Sequence, residues 1–292
     1  MFPIIFFGTP DFSAKVLEKL ISAKGYPVVA VVTAPDRKAG RHEILTPTPV
    51  KLLAQKNGIP VLTPEKLDEQ FIRNSIICNS QLAILAAYGK IIPQNLLNLP
   101  KYGFLNIHPS LLPKYRGPSP VQTAILDGTR ETGVTIMKMD EQVDHGPIIA
   151  QYKEGLKPDD TSETLLNRLF SKGADFLIDI LPNYLEGRIQ PQPQDHNRAT
   201  FTKMFKREDG HIDLANPPSP EMFDRMIHAY YPWPGVWTKL GIRNQELRIS
   251  NKFIKFLPGK MIQIEGGKPM TVKDFLNGYP EAQDWLSKIY QL

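Results

Sequence analysis

The stretch IIFFGTPDFSAKVLEKLIS (residues 4–22) decides the fold class. Ile4–Phe7 is a short apolar run that ends at a glycine, which is typical of a buried strand. Ser13–Ser22 follows with apolar residues at helical spacing, so that one face of the helix is hydrophobic. These residues are Val16, Leu17, Leu20 and Ile21. A buried strand that leads directly into an amphipathic helix predicts one unit of an α/β sheet.

The turn between this strand and helix is GTPDFS (residues 8–13). A phosphate-binding loop occupies the same position in dinucleotide-binding folds, but the second and third glycines of that fingerprint are missing here. Asp11 or Ser13 as the N-cap of the helix is the interpretation that we prefer. The turn is therefore predicted to be structural.

Apolar runs and amphipathic stretches continue to alternate along the first 180 residues. A long helical pattern covers Thr161–Leu185. The further predicted strands are Val28–Val32, Leu82–Ala86, Phe104–Ile107 and Val134–Met137. This alternation predicts an α/β fold, with a mostly parallel sheet and helices on both faces. Because such sheets bind ligands beyond the carboxyl ends of their strands, functional residues are expected there.

The composition changes after Leu185. Residues 187–202 (GRIQPQPQDHNRATFT) are rich in Pro and Gln, which indicates an extended crossing segment. A helical patch at Pro220–His228 follows, and then short strand-like pieces that Gly and Pro interrupt. The pieces are Val236–Leu240, Glu246–Ile249, Phe253–Phe256 and Met261–Ile264. We therefore predict a first domain at 1–186, a linker at 187–205 and a small C-terminal β-barrel or sandwich at 206–292.

Composition limits the class of protein. The 292 residues carry a net charge of +5, with 41% hydrophobic and 22% charged residues, as in an ordinary globular protein. This charge permits a polyanionic partner without requiring one. Cys78 is the only cysteine, which excludes a disulfide framework and suits a reducing cytosol. The apolar N-terminus is expected to be a buried strand and not a signal peptide, and no run approaches the ~18 apolar residues of a membrane span.

A first pair of candidate site residues lies in FLNIHPSLLP (residues 104–113). Asn106 and His108 are two positions apart on a strand, so their side chains point to the same face. Both lie at its carboxyl end, before a loop that Pro109 and Pro113 make rigid. A histidine with satisfied hydrogen bonds in the core and a capping asparagine remain the alternative. The pairing of the two residues favours a functional role without settling it.

A second candidate segment is MDEQVDHGP (residues 139–147), which follows another predicted strand. We interpret Asp140 and Glu141 as a solvated turn and Asp144 as a constrained residue that faces inward. His145 beside Asp144 also suggests a metal ligand. We do not favour a metal site, because no two histidines form a ligand pair at i, i+4.

An Asn, a His and an Asp without a nucleophile suggest direct transfer between two bound substrates. Ser110 and Ser119 lack the flanking glycines of a hydrolase nucleophile. Acyl transfer to an amine requires an unprotonated amine, stabilisation of the carbonyl oxygen as it gains charge, and removal of a proton. An amide and a histidine can stabilise the oxyanion, and a carboxylate can assist the histidine or accept the proton.

The stretch NIHPSLLP (residues 106–113), with Asp144 36 residues beyond His108, resembles the signature of folate-dependent formyltransferases. The resemblance implies 10-formyltetrahydrofolate as the formyl donor and Asn106, His108 and Asp144 as the catalytic residues. Glycinamide ribonucleotide formyltransferases, sugar N-formyltransferases and the hydrolase domain of formyltetrahydrofolate dehydrogenase share this triad. The triad therefore indicates the donor and the chemistry but not the acceptor.

Further stretches are similar to those of methionyl-tRNA formyltransferases. They are FGTPDF (7–12), PDRKAGR (35–41), PTPVK (47–51), AYGKIIP (87–93), Arg116-Gly117 and YPWPG (231–235). The similarity covers most of residues 1–240. It implies a Rossmann-like catalytic domain, a C-terminal OB-like barrel that binds tRNA, and initiator methionyl-tRNA and folate as partners. We expect a monomeric cytoplasmic enzyme with no metal and no membrane partner.

The resemblance also implies binding residues. Those of the folate pocket would be Tyr88, Gly89, Ile91, Ile92, Pro93, Ser110, Leu111, Leu112 and Pro113. Arg41, with Lys38 in the same loop, would engage the acceptor end of the tRNA. From the residues alone, this loop would be a solvated basic segment.

Two departures from the family pattern concern the acceptor. The loop after Arg41 is HEIL (residues 42–45), where many members carry further lysines, and the C-terminal domain is shorter than usual. An enzyme that formylates an amino sugar nucleotide is therefore the second hypothesis, and a glycinamide ribonucleotide enzyme is a weaker one. A homologue that binds folate or RNA without catalysis is the non-enzymatic alternative, which the intact triad disfavours.

Overall fold

The computed structural model describes residues 2–39, 43–73, 77, 79–240 and 252–290. Arg41, Cys78 and the predicted strand Glu246–Ile249 lie outside these residues. The chain divides into two compact units. The first comprises Met1–Gly117, Glu131–Gly155 and Leu166–Phe201, and the second comprises Pro118–Arg130, Leu156–Leu165 and Thr202–Leu292.

The described strands and helices follow one another in chain order. The strands are β1 Ile4–Gly8, β2 Val28–Val32, β3 Arg37–Ala39, β4 Ile44–Thr46, β5 Val61–Leu62, β6 Leu82–Ala86, β7 Phe104–His108, β8 Glu131–Lys138, β9 Ile148–Gly155, β10 Val236–Lys239, β11 Phe253–Leu257, β12 Met261–Ile264 and β13 Met270–Thr271. The α-helices are α1 Asp11–Ser22, α2 Pro49–Lys56, α3 Glu69–Ile72, α4 Gln94–Leu97, α5 Pro120–Leu126, α6 Ser162–Leu185, α7 Pro220–Tyr230, α8 Val272–Gly278 and α9 Gln283–Ile289.

A seven-stranded sheet organises the first unit, with the strand order β5-β2-β1-β6-β7-β8-β9. The five strands from β5 to β7 pair in parallel. β8 pairs antiparallel with β7, and β9 pairs antiparallel with β8. The prediction of a mostly parallel α/β sheet is confirmed. The predicted strand Val134–Met137 is the centre of β8, whose direction the apolar run alone did not reveal.

β1 lies in the centre of the parallel part of the sheet, and it is buried, as its apolar sequence predicts. β2 and β6 flank it, and all five of its residues are buried. A strand covered on both faces needs apolar residues at every position, which explains the run IIFF. Burial of a side chain such as that of Phe6 or Phe7 stabilises the fold by about 1.5–3 kcal/mol.

The helix after β1 begins differently from our expectation. Pro10 is the N-cap of α1 and makes no side-chain capping bond, so the prediction of an Asp11 or Ser13 cap is wrong. Ser13 is buried instead, and its hydroxyl donates to the Ala86 carbonyl at 2.5 Å. The serine thus attaches the first turn of the helix to the end of β6.

The second unit contains a four-stranded antiparallel sheet with the order β10-β11-β12-β13. This sheet is consistent with a small barrel, as the sequence predicted for the C-terminal part. α7 begins as its sequence suggests, because Ser219 accepts a hydrogen bond from Met222 N and Pro220 occupies the first helical turn. The short helices α8 and α9 were not predicted. In the part of the chain that the structure describes, no helix is both long and apolar enough to cross a membrane.

Candidate active site

β7 places Asn106 and His108 at the carboxyl end of the sheet. β7 pairs with β6 on one side and with β8 on the other, so β7 has no free edge. Alternation along the strand points both side chains to one face. Asn106 is 8% exposed and His108 is 4% exposed. Polar side chains at such buried positions require partners within the protein or a ligand.

Asp144 supplies the partner for both residues. One carboxylate oxygen, Oδ1, lies 3.3 Å from Asn106 Nδ2 and 3.5 Å from His108 Nδ1. The other, Oδ2, accepts a hydrogen bond of 2.8 Å from Gly117 N. Asp144 has a φ of 50°, in the left-handed region that is uncommon for a residue with a side chain. The structure thus brings together the three side chains that the sequence singled out.

The hydrogen bonds of His108 restrict how its ring is protonated. Nε2 lies 3.0 Å from the Tyr115 carbonyl oxygen, and because a carbonyl only accepts, Nε2 carries the hydrogen of this bond. Nδ1 faces the Asp144 carboxylate. Both ring nitrogens thus face an acceptor oxygen of the protein.

Two residues behind Asp144 escaped the sequence analysis. Arg116 is 4% exposed, and its Nη2 donates to Gln194 Oε1 at 2.7 Å and to His196 Nδ1 at 2.8 Å. Burial lowers the pKa of the Arg116 guanidinium, and the neighbouring carboxylates of Asp144 and Asp140 act in the opposite direction. In the sequence, Arg116 stands out only as part of a stretch that is similar to the family. Gln194 lies in the predicted linker, where no signal distinguished it from other glutamines.

His145 does not share a ligand set with Asp144. Its Nδ1 lies 2.6 Å from Asp140 Oδ2, and its ring stacks on that of His196 with centroids 4.1 Å apart. Asp140 therefore has a partner within the loop and is not simply the solvated residue that we expected. Across the described ranges, no three His, Cys, Asp or Glu side chains are grouped as a metal ion would require.

The first part of the predicted folate pocket lies at the ends of β1, β2 and β6. Tyr88 and Gly89 line a cleft of about 360 Å³ together with Thr9, Arg37 and Lys90. Of the other predicted residues, Ile91 is 79% exposed, whereas Ile92 is buried in the apolar cluster that also contains Tyr88. Pro93 is the N-cap of α4.

The second part, Ser110–Pro113, forms the loop after β7. Ser110 Oγ donates to Lys114 O at 2.7 Å. Leu112 N donates to Thr135 Oγ1 at 3.1 Å, and Leu112 O accepts from Gln151 Nε2 at 2.8 Å. Leu111 packs so closely on Gly133 that a side chain there would collide with it. The loop is thus held firmly by β8 and β9. The described residues that line the cleft beside Tyr88 include none of these four.

The predicted tRNA-binding loop is only partly described. Lys38 lies on β3, which forms a two-stranded hairpin with β4. Its Nζ lies 2.8 Å from Glu43 Oε2, and both side chains are well exposed to solvent. Arg41 lies between these residues, outside the described part of the chain.

Comparison with known proteins identifies the family. Residues 2–181 match the Formyl transferase family. The chain is 49% identical to the methionyl-tRNA formyltransferase of Chloroflexus aurantiacus over 275 residues, which cover 92% of this chain and 87% of the relative. The chain belongs to the formyl transferase family and, within it, to the methionyl-tRNA formyltransferases. The resemblance that the motifs indicated is confirmed.

Two further comparisons extend this result. The methionyl-tRNA formyltransferase of Staphylococcus epidermidis is 39% identical over 309 residues, covering 97% of this chain and 98% of the relative. An N-formyltransferase of Helicobacter canadensis, solved in complex with folinic acid and dTDP-3-aminofucose, has a TM-score of 0.60 and 19% identity, with 93% of this chain and 99% of that chain covered. The latter likeness concerns the fold alone.

Proposed function

We propose that this protein transfers the formyl group of 10-formyltetrahydrofolate to the amino group of initiator methionyl-tRNA. One observation carries the proposal. Asn106 Nδ2 and His108 Nδ1 lie 3.3 Å and 3.5 Å from Asp144 Oδ1 at the end of β7, in a chain that belongs to the methionyl-tRNA formyltransferases. An amide, an imidazole and a carboxylate without a nucleophile suit direct attack of the acceptor amine on the donor.

The reaction exchanges one carbon–nitrogen bond for another. The amine nitrogen attacks the formyl carbon, and the carbonyl oxygen gains negative charge. The bond between the formyl carbon and the folate nitrogen then breaks, the amine loses a proton, and the folate nitrogen gains one. In the proposal, the second hydrogen of Asn106 Nδ2 is donated to this oxygen, and His108 donates to it by exchanging the Tyr115 carbonyl for the oxyanion. Loss of one such oxyanion donor typically costs about 3 kcal/mol of transition-state stabilisation.

Asp144 would orient the side chains of Asn106 and His108. Its Oδ1 contacts the Asn106 amide and faces His108 Nδ1, so one carboxylate oxygen fixes both side chains. The carboxylate would also hold the ring in the orientation that donation to an oxyanion requires. The same carboxylate is placed to accept the proton that the attacking amine loses.

Several observations support a folate donor. The Helicobacter canadensis neighbour was solved with folinic acid, a formylated folate. The cleft beside Tyr88 and Gly89 opens at the carboxyl ends of parallel strands, where α/β folds bind ligands. We propose that Tyr88–Pro93 and Ser110–Pro113 form the donor pocket, with residues 1–186 as the formyltransferase domain.

We further propose that residues 206–292, joined through the linker 187–205, bind the tRNA together with Lys38 and Arg41. Cations and aromatic rings alternate on the surface of the second unit. The Arg207 guanidinium lies 5.3 Å from the centre of the Trp237 ring, and Lys239 Nζ lies 5.5 Å from that of Phe253. Such surfaces suit single-stranded nucleic acid, because cations meet phosphates and rings stack on bases. We also propose that the protein is a monomer and acts in the cytoplasm.

The amino sugar alternative has weaker support. The Helicobacter canadensis enzyme was solved with dTDP-3-aminofucose but is only 19% identical to this chain. The Chloroflexus aurantiacus enzyme, with 49% identity, is named for methionyl-tRNA. A degenerate homologue without activity is disfavoured by the intact convergence of Asn106, His108 and Asp144.

A single-turnover assay with two acceptors tests the proposal. Purified protein and 10-formyltetrahydrofolate are incubated with methionyl-tRNA or with an amino sugar nucleotide, and the formylated product is quantified. We expect formylation of methionyl-tRNA alone. A product formed only from the sugar nucleotide would replace this function with the alternative, and no product from either would favour a non-catalytic homologue.

A further inference from the structure

Gln194 is a buried glutamine whose amide is fully used. Gln194 is 5% exposed. In contrast, Gln192 and the two residues on either side of Gln194 are exposed to solvent. Nε2 donates to Asp144 O at 3.0 Å and to Gly146 O at 2.7 Å. Oε1 accepts from Arg116 Nε at 3.2 Å and from Arg116 Nη2 at 2.7 Å. These four bonds equal the two donors and two acceptor sites of one amide group.

The peptide that Gln194 holds is strained. Asp144 has a φ of 50°, and a residue with a Cβ in a sparsely populated region costs about 1–3 kcal/mol. Such a conformation persists only where the surroundings determine it. The hydrogen bond from Gln194 to the Asp144 carbonyl fixes the peptide plane at this residue. The second hydrogen bond, to the Gly146 carbonyl, fixes the chain two residues later, where Gly146 packs against Lys138 O with no room for a side chain.

Arg116 holds Gln194 in place from the other side. The guanidinium binds Gln194 Oε1 through two N–H groups, and this directs Nε2 of the same amide at the strained loop. The chain then continues directly from Arg116 to Gly117, whose N–H donates to Asp144 Oδ2. Arg116 also donates to His196 Nδ1, and the His196 ring stacks on His145 in the same loop. The backbone of Asp144 and its carboxylate are thus fixed by one connected network.

We propose that Gln194 is a positioning residue for the reaction: its amide holds Asp144 in the left-handed conformation that presents the carboxylate to Asn106 and His108. The inference rests on the proposed role of Asp144 and goes beyond it, since the four hydrogen bonds of the Gln194 amide go to Arg116 and to the Asp144 and Gly146 carbonyls. A small displacement of a catalytic group lowers rates strongly, by roughly 100-fold for about 1 Å. Loss of the two donated hydrogen bonds is therefore expected to slow formyl transfer about 10- to 100-fold.

The first test compares Gln194→Met with the control Gln192→Met. Methionine keeps the length of the side chain and removes both hydrogen-bonding functions. Gln192 lies two residues away and is exposed, with its side chain donating to Gln190 O at 3.1 Å. In single-turnover assays Gln194→Met should lose rate about 10- to 100-fold with an unchanged KM for the folate donor, whereas Gln192→Met should behave like the wild type. A normal rate in Gln194→Met overturns the inference.

A second variant separates positioning from a purely structural role. Gln194→Glu retains two acceptor oxygens for Arg116 but loses both donors to the loop. If Gln194 positions Asp144, Gln194→Glu at pH 8 stays folded by circular dichroism and still transfers slowly. If Gln194→Glu recovers the wild-type rate, the glutamine serves only as the partner of Arg116 and the inference is wrong. This variant also decides the question if Gln194→Met fails to fold.

A double-mutant cycle separates this inference from the proposed function. Asp144→Asn keeps a residue type that tolerates the left-handed region and removes the charge. If Gln194 acts through the carboxylate, adding Gln194→Met to Asp144→Asn should reduce the residual rate by less than about threefold. Equal losses in both backgrounds would overturn the inference alone. A normal rate in Asp144→Asn would remove Asp144 from the reaction, so that this inference and the proposed role of Asp144 would both fail while formyl transfer itself would stand.

Discussion

The loop around Asp144 and the β3–β4 hairpin differ in almost every physical respect. In the Asp144 loop the carboxylate and the peptide carbonyl of Asp144 and the imidazole of His145 all have hydrogen-bond partners within the protein. In the hairpin, Lys38 and Glu43 pair in solvent, and their side chains are 68% and 71% exposed. Ile44 and Leu45 on β4 are also mostly exposed, although both are large and apolar.

The difference matches the two tasks that we propose for these regions. A group that stabilises developing charge is most effective when its surroundings hold it before the substrate arrives. A surface that binds a polyanion through phosphates depends on exposed cations, and its affinity falls with salt. Variants of the first region should therefore reduce the rate of transfer, and variants of the second should alter the use of tRNA.

The largest effect is expected at the buried site. Asn106→Ala, His108→Ala and Asp144→Ala should each slow single-turnover formylation by about 100-fold or more, because each removes a donor or its orienting partner. The thermal midpoint, measured by circular dichroism, should show that every variant is still folded. A near-normal rate in any of the three would exclude that residue from the mechanism.

A smaller effect, confined to one substrate, is expected from Arg41→Ala. If Arg41 binds phosphate as proposed, its removal should raise the KM for methionyl-tRNA about tenfold at low salt, with a shallower salt dependence than that of the wild type. The KM for 10-formyltetrahydrofolate should not change. An equal rise in both KM values would show that the loop contributes to the donor pocket instead.

The sequence singled out Asn106 and His108, which the structure brings together with Asp144, because these residues carry strong local signals. Asn106 and His108 lie two apart on an apolar strand, and the strand-to-loop transition is plain from Pro109. β1 and β2 are fully apolar, so their bounds were predicted within a residue. Such signals do not depend on distant parts of the chain.

What the sequence did not reveal depends on tertiary contacts. β8 runs antiparallel to β7, which an apolar run cannot indicate. β9 was not predicted, because its sequence IIAQYKEG mixes apolar, polar and charged residues. Only one face of this strand is covered by the protein. Ser13 looked like a helix cap, but a distant carbonyl, Ala86 O, competes for its hydroxyl. Gln194 gave no signal, because its four hydrogen bonds join segments up to 78 residues apart.

The exposed ion pair of the hairpin offers a smaller test. Glu43→Ala should release Lys38 for contact with phosphate and lower the KM for methionyl-tRNA about threefold at low salt, since an exposed pair is worth about 0.2–1 kcal/mol. Stability should be unchanged within about 0.5 kcal/mol. Glu69→Ala, which breaks the similarly exposed pair with Arg73, is the control and should leave both KM values as they are. A rise in the tRNA KM for Glu43→Ala would contradict this view of the hairpin.

The smallest effect on stability at neutral pH is expected from a change of Tyr88. Buried polar groups normally have a hydrogen-bond partner, and the Tyr88 hydroxyl is an exception. Its hydroxyl is buried in an apolar cluster, and among the described residues it has no hydrogen-bond partner. Burial raises the pKa of Tyr88 to about 12. The folded state thus favours the neutral phenol. The stability that the neutral Tyr88 contributes is fully present below the ordinary pKa of about 10, and it is lost as the pH rises towards 12.

Tyr88→Phe removes the unpaired hydroxyl and the titration together. The free energy of unfolding in urea should therefore equal or exceed that of the wild type by up to about 1 kcal/mol at pH 7. The advantage should widen between pH 10 and 12, where the wild type must ionise a buried phenol or unfold. The KM for 10-formyltetrahydrofolate, measured on the same samples, decides what the hydroxyl is for. If that KM rises several-fold while stability increases, the hydroxyl is kept for the donor. A variant less stable than the wild type at pH 7 would mean that the hydroxyl has a partner inside the protein.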